Sequence, residues 1–555
     1  MEKIWLKNYA EGVKHEINAD DNGTLVDILN HSCEKFKERP AFENLGTTIT
    51  YKEFQESSIA FAGFLQKVLK LKKGDRLAIM MPNMLQYPIA VYGALLAGVV
   101  VVNVNPLYTT PELVHQVNDA GAESILVISN FANTVQKAIP ETKLKNIIIT
   151  DVGDLLPRPK AWLLKFVLKY IKKQIPSYSI PNEINFRDAL AEGKDHTVDK
   201  VEVVLDDTAF LQYTGGTTGV SKGAVLSHRN MVSNVMQAEA WFGPMLEEGQ
   251  EVMITALPLY HIFSLLANFL FFSSIGGLSV LITNPRDLPR MVSTISRFKF
   301  TVITGVNTLY LALNHNKKFC DLDFSKLKVC ISGGMATQEP VATKWKEITG
   351  KPILEAYGLT ETSPVAIANP IDLVEFSGTV GLPVPSTDVC IVDENHKALG
   401  VDEIGELAIK GPQVTKGYWH HPEETKKSFT EDGWFLTGDI ASINEDGYVK
   451  ILERKKDMIL VSGFNVYPNE VEAALVSIDG ISEAAVVGVL SKTSGEIVKA
   501  FVVREDENIT KEKILEECKE MLTAYKIPKV IEFRDELPKT NVGKILRRAL
   551  REKEA

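Results

Sequence analysis

The sequence predicts an α/β fold followed by a small β-rich part and a small α+β domain, and three patterns carry this prediction. Along the first part of the chain, short apolar runs suited to buried strands alternate with helix-like patterns, which is typical of a parallel sheet covered by helices. Residues 378–450 then hold short strands separated by Gly, Pro and Asp turns. Residues 458–555 combine two strand patterns with one helical pattern: Val486–Val489, Val498–Val503 and Lys511–Leu522.

The remaining elements are expected in the following order along the chain. Helical patterns occupy Leu25–Phe36, Tyr51–Leu69, Pro88–Ala97 and Asn230–Trp241. Strand patterns occupy Thr47–Thr50, Arg76–Met81, Val99–Val104, Ser124–Ile128, Asn146–Thr150, Val302–Gly305, Val329–Gly334 and Pro352–Ala356. The apolar run Leu265–Ile282 is as long as a short membrane span, but serines and glycines interrupt it. It therefore predicts a buried helix, a turn and a buried strand.

Length, charge and cysteine content limit the classes of protein. A chain of 555 residues is expected to form several domains. The net charge of −10 and the pI near 5.7 argue against a protein that binds nucleic acid. The five cysteines are scattered without CxxC spacing, which favours reduced thiols in the cytoplasm and no zinc site. The N-terminal sequence is too polar for a signal peptide.

The stretch Tyr213–Ala224, YTGGTTGVSKGA, has the composition of a phosphate-binding loop. Its glycines let the backbone approach a ligand closely, and successive N–H groups in such a turn bind anions. Lys222 adds a mobile positive charge that suits phosphate. The loop is not a Walker A motif, because Gly223 follows Lys222 where that motif has Ser or Thr. A flexible surface loop is the alternative interpretation.

The segment Leu155–Pro181 breaks the alternating pattern, with six basic residues and no acidic one. A helix here would carry a tryptophan, Trp162, among other apolar side chains, and would place four lysines on one face: Lys165, Lys169, Lys172 and Lys173. Such a helix suits a membrane interface, where each lysine adds about 1 kcal/mol on anionic lipid. A solvated basic face over a core helix is the alternative. The segment would lie on a membrane and not cross it.

Several polar residues follow predicted strands, where ligands collect in open α/β sheets. Glu361, in YGLTE, could ligate Mg²⁺ bound to phosphates, and Tyr357 could stack on a base. Asp439, in TGD, could accept from ribose hydroxyls. His261 follows a strand-like run beside an apolar stretch, where a histidine is more often structural. Each motif alone is also typical of an ordinary turn.

Taken together, five motifs in this order resemble the acyl-adenylate-forming superfamily: YTGGTTGVSKGA, YGLTETSP, WFLTGDI, ILERKKDMILVSGFNVYPNEVE and PKTNVGKILRRAL. The resemblance covers essentially the whole chain, and the Trp434–Glu472 region is similar to the signature of bacterial long-chain fatty-acid–CoA ligases. That family first joins a carboxylate to ATP, giving acyl-AMP and pyrophosphate, and then transfers the acyl group to coenzyme A. The resemblance therefore implies a long-chain fatty acid, ATP, Mg²⁺ and coenzyme A as ligands.

The resemblance also implies roles for individual residues. ATP phosphates would be held by Tyr213, Thr214, Gly215, Gly216, Thr217, Thr218, Gly219 and Lys222, and Mg²⁺ by Thr214 and Glu361. The nucleotide would further contact Gly333, Gly334, Met335, Tyr357, Gly358 and Thr360, with Asp439 and Arg454 at the ribose. Lys544 matches the lysine that bridges carboxylate and phosphate during adenylation, and His261 a position beside the acyl site. Lys544, His261 and Glu361 form the implied catalytic set.

The family's domain organisation implies an N-terminal adenylation domain at 1–453, made of two α/β subdomains and the β-rich part. A hinge at 454–457 would lead to a mobile C-terminal lid domain at 458–555. Rotation of this domain would present Lys544 for adenylation in one pose. In the other pose it would build the coenzyme A tunnel, with Ser462 and Gly463 near the thiol.

One position departs from the family's pattern. Some long-chain members carry a tryptophan four residues after the position of His261, as a gate to the fatty-acid tunnel, whereas this chain has Leu265. The gate and the preferred chain length therefore stay open. The apolar run after His261 still suits a tunnel wall, because an alkyl chain gains about 0.8 kcal/mol per buried CH₂.

The sequence also leaves two alternative functions open and predicts a location. One alternative is a ligase of the same superfamily with another acid or acceptor, such as a fatty acyl-AMP ligase that feeds a carrier protein. Another is a non-catalytic lipid-binding protein, against which the retained Lys222, Glu361, Asp439 and Lys544 count. The expected location is the cytoplasm, peripherally at the inner face of the membrane through 155–181. A homodimer is one option for the oligomeric state.

Overall fold

A computed structural model describes residues 3–214, 221–461, 464–491, 495–540 and 543–551. Among these residues the strands form four sheets, here called the first to the fourth. The first and second sheets are largely parallel, and the third and fourth are small and largely antiparallel. The predicted α/β fold, with a large N-terminal and a small C-terminal part, is confirmed.

The two large sheets contain the strands that lead to the site. In spatial order the first sheet comprises Ile184–Asn185, Asn146–Thr150, Ser124–Ile128, Arg76–Met80, Val100–Asn103, Thr208–Thr214 and Lys222–Ser227. The second sheet comprises Leu382–Pro383, Val365–Ala368, Leu354–Gly358, Val329–Gly333, Val302–Gly305, Val252–Thr255, Leu278–Leu281, Pro40–Asn44 and Thr47–Thr50. Antiparallel pairs occur only towards the edges of both sheets as described here, such as the hairpin of Thr208–Thr214 with Lys222–Ser227.

The two smaller sheets follow along the chain. The third sheet comprises Asp388–Val392, Gly405–Lys410, Phe435–Ile443 and Val449–Arg454. It corresponds to the β-rich part predicted near 378–450. The fourth sheet comprises Phe464–Val466, Ile459–Val461, Gly495–Arg504 and Ile481–Ser491, with Val530–Arg534 paired to Gly495–Arg504. Its two long strands extend well beyond the apolar runs expected from the sequence, because their pairing continues from Ile481 with Arg504 to Ser491 with Gly495.

Helices cover both faces of the large sheets, and the fourth sheet has two helices on one face and the short helix Arg547–Arg551 on the other. The longer ones are Leu25–Lys35, Tyr51–Gly63, Gln86–Leu96, Thr110–Ala120, Ala132–Ala138, Arg158–Phe166, Phe186–Gly193, His228–Phe242, Leu288–Ile295, Asn307–Asn314, Glu339–Thr349, Pro468–Val476 and Lys511–Met521. Shorter ones are Ile262–Ser264, Phe272–Ser274, Lys317–Cys320, Pro422–Lys427 and Arg547–Arg551. Three π-helical stretches extend a preceding helix: Phe64–Val68, Val167–Ile171 and Leu265–Phe271.

The main core lies between the two large sheets, because one face of each contributes to the same apolar cluster. Helix Gln86–Leu96 is buried on nearly every side in this cluster, as expected for a helix that is apolar all round. Local caps fix where the helices begin. At helix Tyr51–Gly63 the Thr50 hydroxyl accepts from the N–H of Glu53 (3.2 Å), and the Glu53 carboxylate accepts from the N–H of Thr50 (2.8 Å).

The apolar run Leu265–Ile282 forms a helix, a turn and the buried strand Leu278–Leu281, as predicted. In the part of the chain that the structure describes, none of the helices has the length and apolar character needed to cross a membrane. The basic segment is helical from Arg158 to Ile171, and the four lysines of the expected basic face are exposed, with Lys172 and Lys173 beyond the end of this helix. Lys165 makes an ion pair with the buried Asp151 (2.6 Å) while 54% of its side chain stays exposed.

Candidate active site

A cavity of about 660 Å³ opens where the large sheets, the third sheet and the C-terminal part meet. Carboxyl ends of strands in an open α/β sheet are the usual place for a ligand. The first sheet contributes Tyr213 and Thr214, the second contributes Gly333 and Tyr357, and the segment after the fourth sheet contributes Lys544. Residues more than 300 positions apart in sequence therefore share one cavity.

The hairpin below the predicted phosphate loop is well defined by its strand pairing. Tyr213 pairs with Gly223 and Thr214 with Lys222, which brings both ends of the loop to the cavity. The loop residues Gly215, Gly216, Thr217, Thr218 and Gly219 lie outside the described residues.

Lys222 makes an ion pair with Glu424, and its ammonium group lies 5.9 Å from the centre of the Tyr418 ring. A hydrogen bond from Lys222 is the main cause that lowers the pKa of Glu424 to about 2. The hydroxyl of Tyr213 donates to Asp119 (2.5 Å). The cation suited to phosphate is therefore held at the cavity wall by a carboxylate that a ligand would have to replace.

Tyr357, Asp439 and Arg454 form a chain of polar contacts at the opposite wall. Tyr357 donates its hydroxyl proton to one oxygen of Asp439 (2.5 Å), and Arg454 contacts the other (2.8 Å). Asp439 and Arg454 are cross-strand partners in the third sheet, so the hairpin register itself sets this pair. Burial raises the pKa of Asp439 more than Arg454 lowers it. Tyr357 and Arg454 line the cavity, whereas Asp439 lies just behind them.

Lys544 enters the cavity from the C-terminal part. Its side chain lies against Gly334, which has φ +81°, and a Cβ added there would come 3.2 Å from the Lys544 Cε. Desolvation, followed by the positive charge of Arg454, lowers the pKa of Lys544 to about 8. Glycine at 334 thus permits both the backbone conformation and the close approach of the lysine.

The turn that carries Lys544 is anchored at both ends. The backbone N–H of Lys544 donates to the Thr540 hydroxyl (3.0 Å), and its carbonyl accepts from the N–H of Thr540 (2.6 Å). The carbonyl of Gly543 accepts from the hydroxyl of Thr308 in the N-terminal part (3.4 Å). These contacts hold the turn so that the Lys544 side chain lies in the cavity.

His261 begins the short helix Ile262–Ser264 at the cavity wall, where its Nδ1 accepts from the N–H of Phe263 (3.4 Å). Desolvation, followed by the nearby charge of Lys544, lowers the pKa of His261 to about 3. The imidazole is therefore neutral at neutral pH.

Glu361 and Thr214 are the candidate Mg²⁺ ligands. One oxygen of the buried Glu361 carboxylate accepts from the hydroxyl of Tyr418 (2.7 Å), and both Glu361 and Thr214 line the cavity. Oxygen ligands of this kind fit a hard cation that also takes phosphate oxygens. Over the described residues, no group of three or more His, Cys, Asp and Glu side chains could hold a metal ion.

The other predicted residues divide into three groups. Gly333, Gly334, Gly358 and Thr360 line the cavity. Met335 follows Gly334 and is not among the lining residues. Ser462 and Gly463 lie outside the described residues.

A buried carboxylate that sequence reasoning did not identify supports the turn at Gly334. Glu355, on strand Leu354–Gly358, accepts from the backbone N–H of Thr337 (3.0 Å). The hydroxyl of Thr337 in turn bonds to Ser332 (2.8 Å). Burial raises the pKa of Glu355 to about 7. Glu355 thus fixes the turn against which Lys544 lies.

A second group missed from the sequence holds the junction between the two parts of the chain. Arg547 contacts Glu453 at the end of the third sheet (2.9 Å) and Glu472 in the C-terminal part (2.7 Å). It also donates to Asn469 (2.6 Å), whose own N–H donates to Glu453 (2.9 Å). The sequence showed only that basic residues lie near the chain end. Composition cannot distinguish a buried ion pair such as that of Arg547 from a solvated one.

Tyr418 and Glu424 were also missed, and both come from one segment between the third-sheet strands Gly405–Lys410 and Phe435–Ile443. In the sequence, the one signal for this segment was the run of aromatic residues and histidines at 418–421. Tyr260 is a further missed residue, because it lines both this cavity and a second one of about 560 Å³.

Comparison with known proteins identifies the family. Residues 29–419 match the family model of the AMP-binding enzymes, and residues 470–544 match that of the AMP-binding enzyme C-terminal domain. The chain belongs to the AMP-binding enzyme family. The cavity described above lies where these two matched regions meet, since Lys544 is the last residue of the second match.

Individual relatives of this AMP-binding enzyme match along its full length. A long-chain-fatty-acid–CoA ligase of Yersinia pestis is 52% identical over 554 residues, covering 100% of this chain and 98% of that protein. A long-chain-fatty-acid–CoA ligase of Salmonella typhimurium is 51% identical over 552 residues, with the same 100% and 98% coverage. The crystal structure of the anthranilate CoA ligase AuaEII with anthranoyl-AMP superimposes with a TM-score of 0.85 at 26% identity, covering 97% of this chain and 99% of that one.

Proposed function

We propose that this AMP-binding enzyme is a long-chain-fatty-acid–CoA ligase. It joins a fatty acid to ATP with release of pyrophosphate, and then transfers the acyl group from acyl-AMP to the thiol of coenzyme A with release of AMP. The full-length relatives named for this activity support the substrate class. The observation that carries the mechanism is the placement of Lys544 in the cavity, beside Gly334 and within the field of Arg454.

In the first step a carboxylate oxygen attacks the α-phosphorus, and the bond from that phosphorus to the pyrophosphate oxygen breaks. Two anions must meet, and charge grows on the phosphate oxygens in the transition state. Lys544 supplies a positioned cation that bridges the carboxylate and the α-phosphate, so it lowers the repulsion and stabilises the developing charge. His261 lies beside this point as a neutral imidazole and adds no further positive charge there.

The nucleotide would be held by the two walls of the cavity. The adenine would lie along Tyr357 and Gly333, with Gly334, Met335, Gly358 and Thr360 nearby. Asp439 would accept from the ribose hydroxyls, oriented by Arg454, which contacts its other oxygen. Lys222 would leave Glu424 for the β- and γ-phosphates, together with the loop residues 215–219.

Magnesium fits the same cavity. Thr214 and Glu361 would hold the ion, which neutralises phosphate charge when bound. Tyr418 would orient Glu361 for this task, since it already donates to one oxygen of that carboxylate (2.7 Å).

The second step would follow a rotation of the C-terminal domain, residues 458–555, about the hinge 454–457. In the present arrangement Lys544 occupies the cavity, which is the pose for adenylation. Rotation would withdraw Lys544 and open a path for coenzyme A, with Ser462 and Gly463 near the thiol. The contact of Arg547 with Glu453 spans this junction and holds the first pose.

The same proposal includes a location. The enzyme would work in the cytoplasm at the inner face of the membrane, where its substrate partitions, with peripheral contact through residues 155–181. A homodimer is compatible with this arrangement.

Pyrophosphate release with ATP and Mg²⁺ tests the function, measured over acids from acetate to oleate, with and without coenzyme A. We expect release to be highest with long acids and acyl-CoA to form only when coenzyme A is present. Release with long acids but no acyl-CoA would favour a ligase that feeds a carrier protein. No release with any acid would contradict an adenylating enzyme of either kind.

A further inference from the structure

The helix Arg158–Phe166 and its π-helical extension to Ile171 carry an exposed row of aromatic rings. Trp162, Phe166 and Tyr170 are spaced four residues apart, and consecutive ring centres lie 5.9 Å and 5.3 Å from each other. Trp162 has 71% of its surface exposed and Tyr170 has 62%. Leu163 and Ile171 are also exposed beside them. We call these five residues the aromatic face.

The opposite side of this helix is fixed to the body of the protein. Lys165 pairs with Asp151 (2.6 Å), and Lys160 donates to the carbonyl of Leu45. Leu164 and Leu168 point inward and line the second cavity. The helix is therefore docked by its inner side, so the exposure of the aromatic face is a property of the packed structure.

An aromatic face of this size is unusual on a soluble protein. Contiguous apolar patches on monomers are small and generally mark a site of interaction. Tryptophan and tyrosine have an apolar ring and a polar tip, which suits them to the boundary between water and acyl chains. Three exposed rings in a row along one helix fit a flat apolar boundary better than a pocket.

The charge around the aromatic face indicates which kind of apolar boundary would suit it. The chain as a whole has a net charge of −10, but residues 155–181 contain no acidic residue. Arg158, Lys169, Lys172 and Lys173 are exposed on this helix or at its end. Lys169 lies 5.7 Å from the ring centre of Tyr170. Basic side chains around inserted rings are complementary to anionic lipid headgroups.

We propose that the aromatic face inserts into the interface of an anionic bilayer, with Trp162, Phe166 and Tyr170 at the level of the headgroups and the helix parallel to the membrane. This differs from a purely electrostatic contact through a row of four lysines, because Lys165 is already paired with Asp151 and the three exposed rings supply apolar area for insertion. The inference rests on the proposed function only for the purpose of the membrane contact. That purpose is to keep the enzyme where a long-chain acid partitions.

The test measures partitioning onto vesicles without any use of catalysis, so it stands apart from the test of the proposed function. Full-length protein is floated with vesicles of phosphatidylcholine alone or with 30 mol % phosphatidylglycerol. We expect binding to the anionic vesicles, and a loss of at least tenfold in the partition coefficient when Trp162, Phe166 and Tyr170 are all replaced by serine. The matched control is Val374→Ser, because Val374 is an exposed apolar residue elsewhere on the surface, and its partition coefficient should stay within twofold.

Trp162 also provides a direct readout of insertion. Brominated lipids should quench a component of tryptophan fluorescence that is absent in Trp162→Phe, because this variant keeps an aromatic ring but removes the reporter. Thermal unfolding confirms that each variant folds. Equal vesicle binding by the triple variant, or no quenching of Trp162, would overturn the proposal. Concentration-dependent dimerisation without lipid that the triple variant abolishes would also overturn it, and would assign the aromatic face to a second copy of the chain.

Discussion

Replacing Lys544 with alanine should slow the formation of acyl-AMP by about 10²–10³-fold, while thioester formation from preformed acyl-AMP stays within a few-fold of the wild-type rate. Removal of one preorganised group that stabilises transition-state charge costs roughly 2.7–4 kcal/mol, which gives this range. The estimate applies here because Lys544 is desolvated in the cavity wall and held by a turn anchored on Thr540 and Thr308. The second half-reaction is spared because rotation would withdraw the lysine.

The pH dependence gives a second, independent signature of the same residue. The pKa of Lys544 is lowered to about 8, so the side chain is charged below that pH and neutral above it. The kcat/KM for adenylation reports the free enzyme and should therefore fall as pH rises through about 8, approaching tenfold per pH unit. The alanine variant should lack this decline, because no lysine remains to lose its proton.

Pyrophosphate exchange measures the first half-reaction, and acyl-CoA formation from synthetic acyl-AMP measures the second. Lys539→Ala is the matched control, since Lys539 lies on the same tail but pairs with Glu483 (2.5 Å) and does not line the cavity. Equal loss of both half-reactions in Lys544→Ala would refute the reasoning, as would a decline above pH 8 that persists in the variant.

Three further substitutions test the surroundings of the site. Tyr357→Phe removes the hydrogen bond to Asp439 and should raise the KM for ATP about 10–100-fold in pyrophosphate exchange, since hydrogen bonds to charged groups contribute about 1.5–3 kcal/mol. Arg547→Leu should lower the free energy of unfolding by about 3–5 kcal/mol in urea, because buried carboxylates lose their partner, and adding Glu453→Gln should recover part of the loss. Glu355→Gln should raise the free energy of unfolding at pH 8 by up to about 3 kcal/mol.

The sign of the effect of Glu355→Gln on the free energy of unfolding follows from whether the folded or the unfolded protein holds the proton more tightly. The folded protein keeps Glu355 protonated up to about pH 7, whereas the unfolded chain releases the proton near 4.5. Stability therefore falls as pH rises between these values, and a neutral glutamine removes the dependence. An unchanged KM in Tyr357→Phe, no recovery in the double variant, or a stability difference between Glu355→Gln and the wild type that is the same at pH 5 and pH 8 would each contradict the corresponding prediction.

The sequence was most informative where a local pattern determines structure. Short apolar runs such as Ser124–Ile128 and Asn146–Thr150 became strands with the expected bounds, because burial on both faces requires continuous apolar residues. The motifs around Tyr357 and Lys222 could be placed at strand ends for the same reason. That these motifs meet in one cavity could be predicted from their order along the chain, which resembles a family. No single motif predicted it.

Other contacts could not be predicted because they join segments far apart in sequence. Lys222 and Glu424 are separated by about two hundred positions, and neither side chain carries a local signal of the other. The ion pair of Lys165 depends on Asp151, which directly follows the strand Asn146–Thr150. Helical spacing placed this lysine on an exposed face, as observed, but a pattern cannot show that it meets a charged partner there.

One hairpin of the third sheet contains both the polar contact at the proposed ribose site and the start of the proposed hinge. Asp439 and Arg454 are paired across it, and Arg454 is also its last residue. If the C-terminal domain rotates at Arg454 as proposed, a ligand that binds these two side chains would have a different affinity in each orientation. Reciprocity requires that the ligand change the balance of the two orientations by the same factor. Exchange of ATP for acyl-AMP would thus carry a coupling free energy that drives the enzyme from its first reaction to its second.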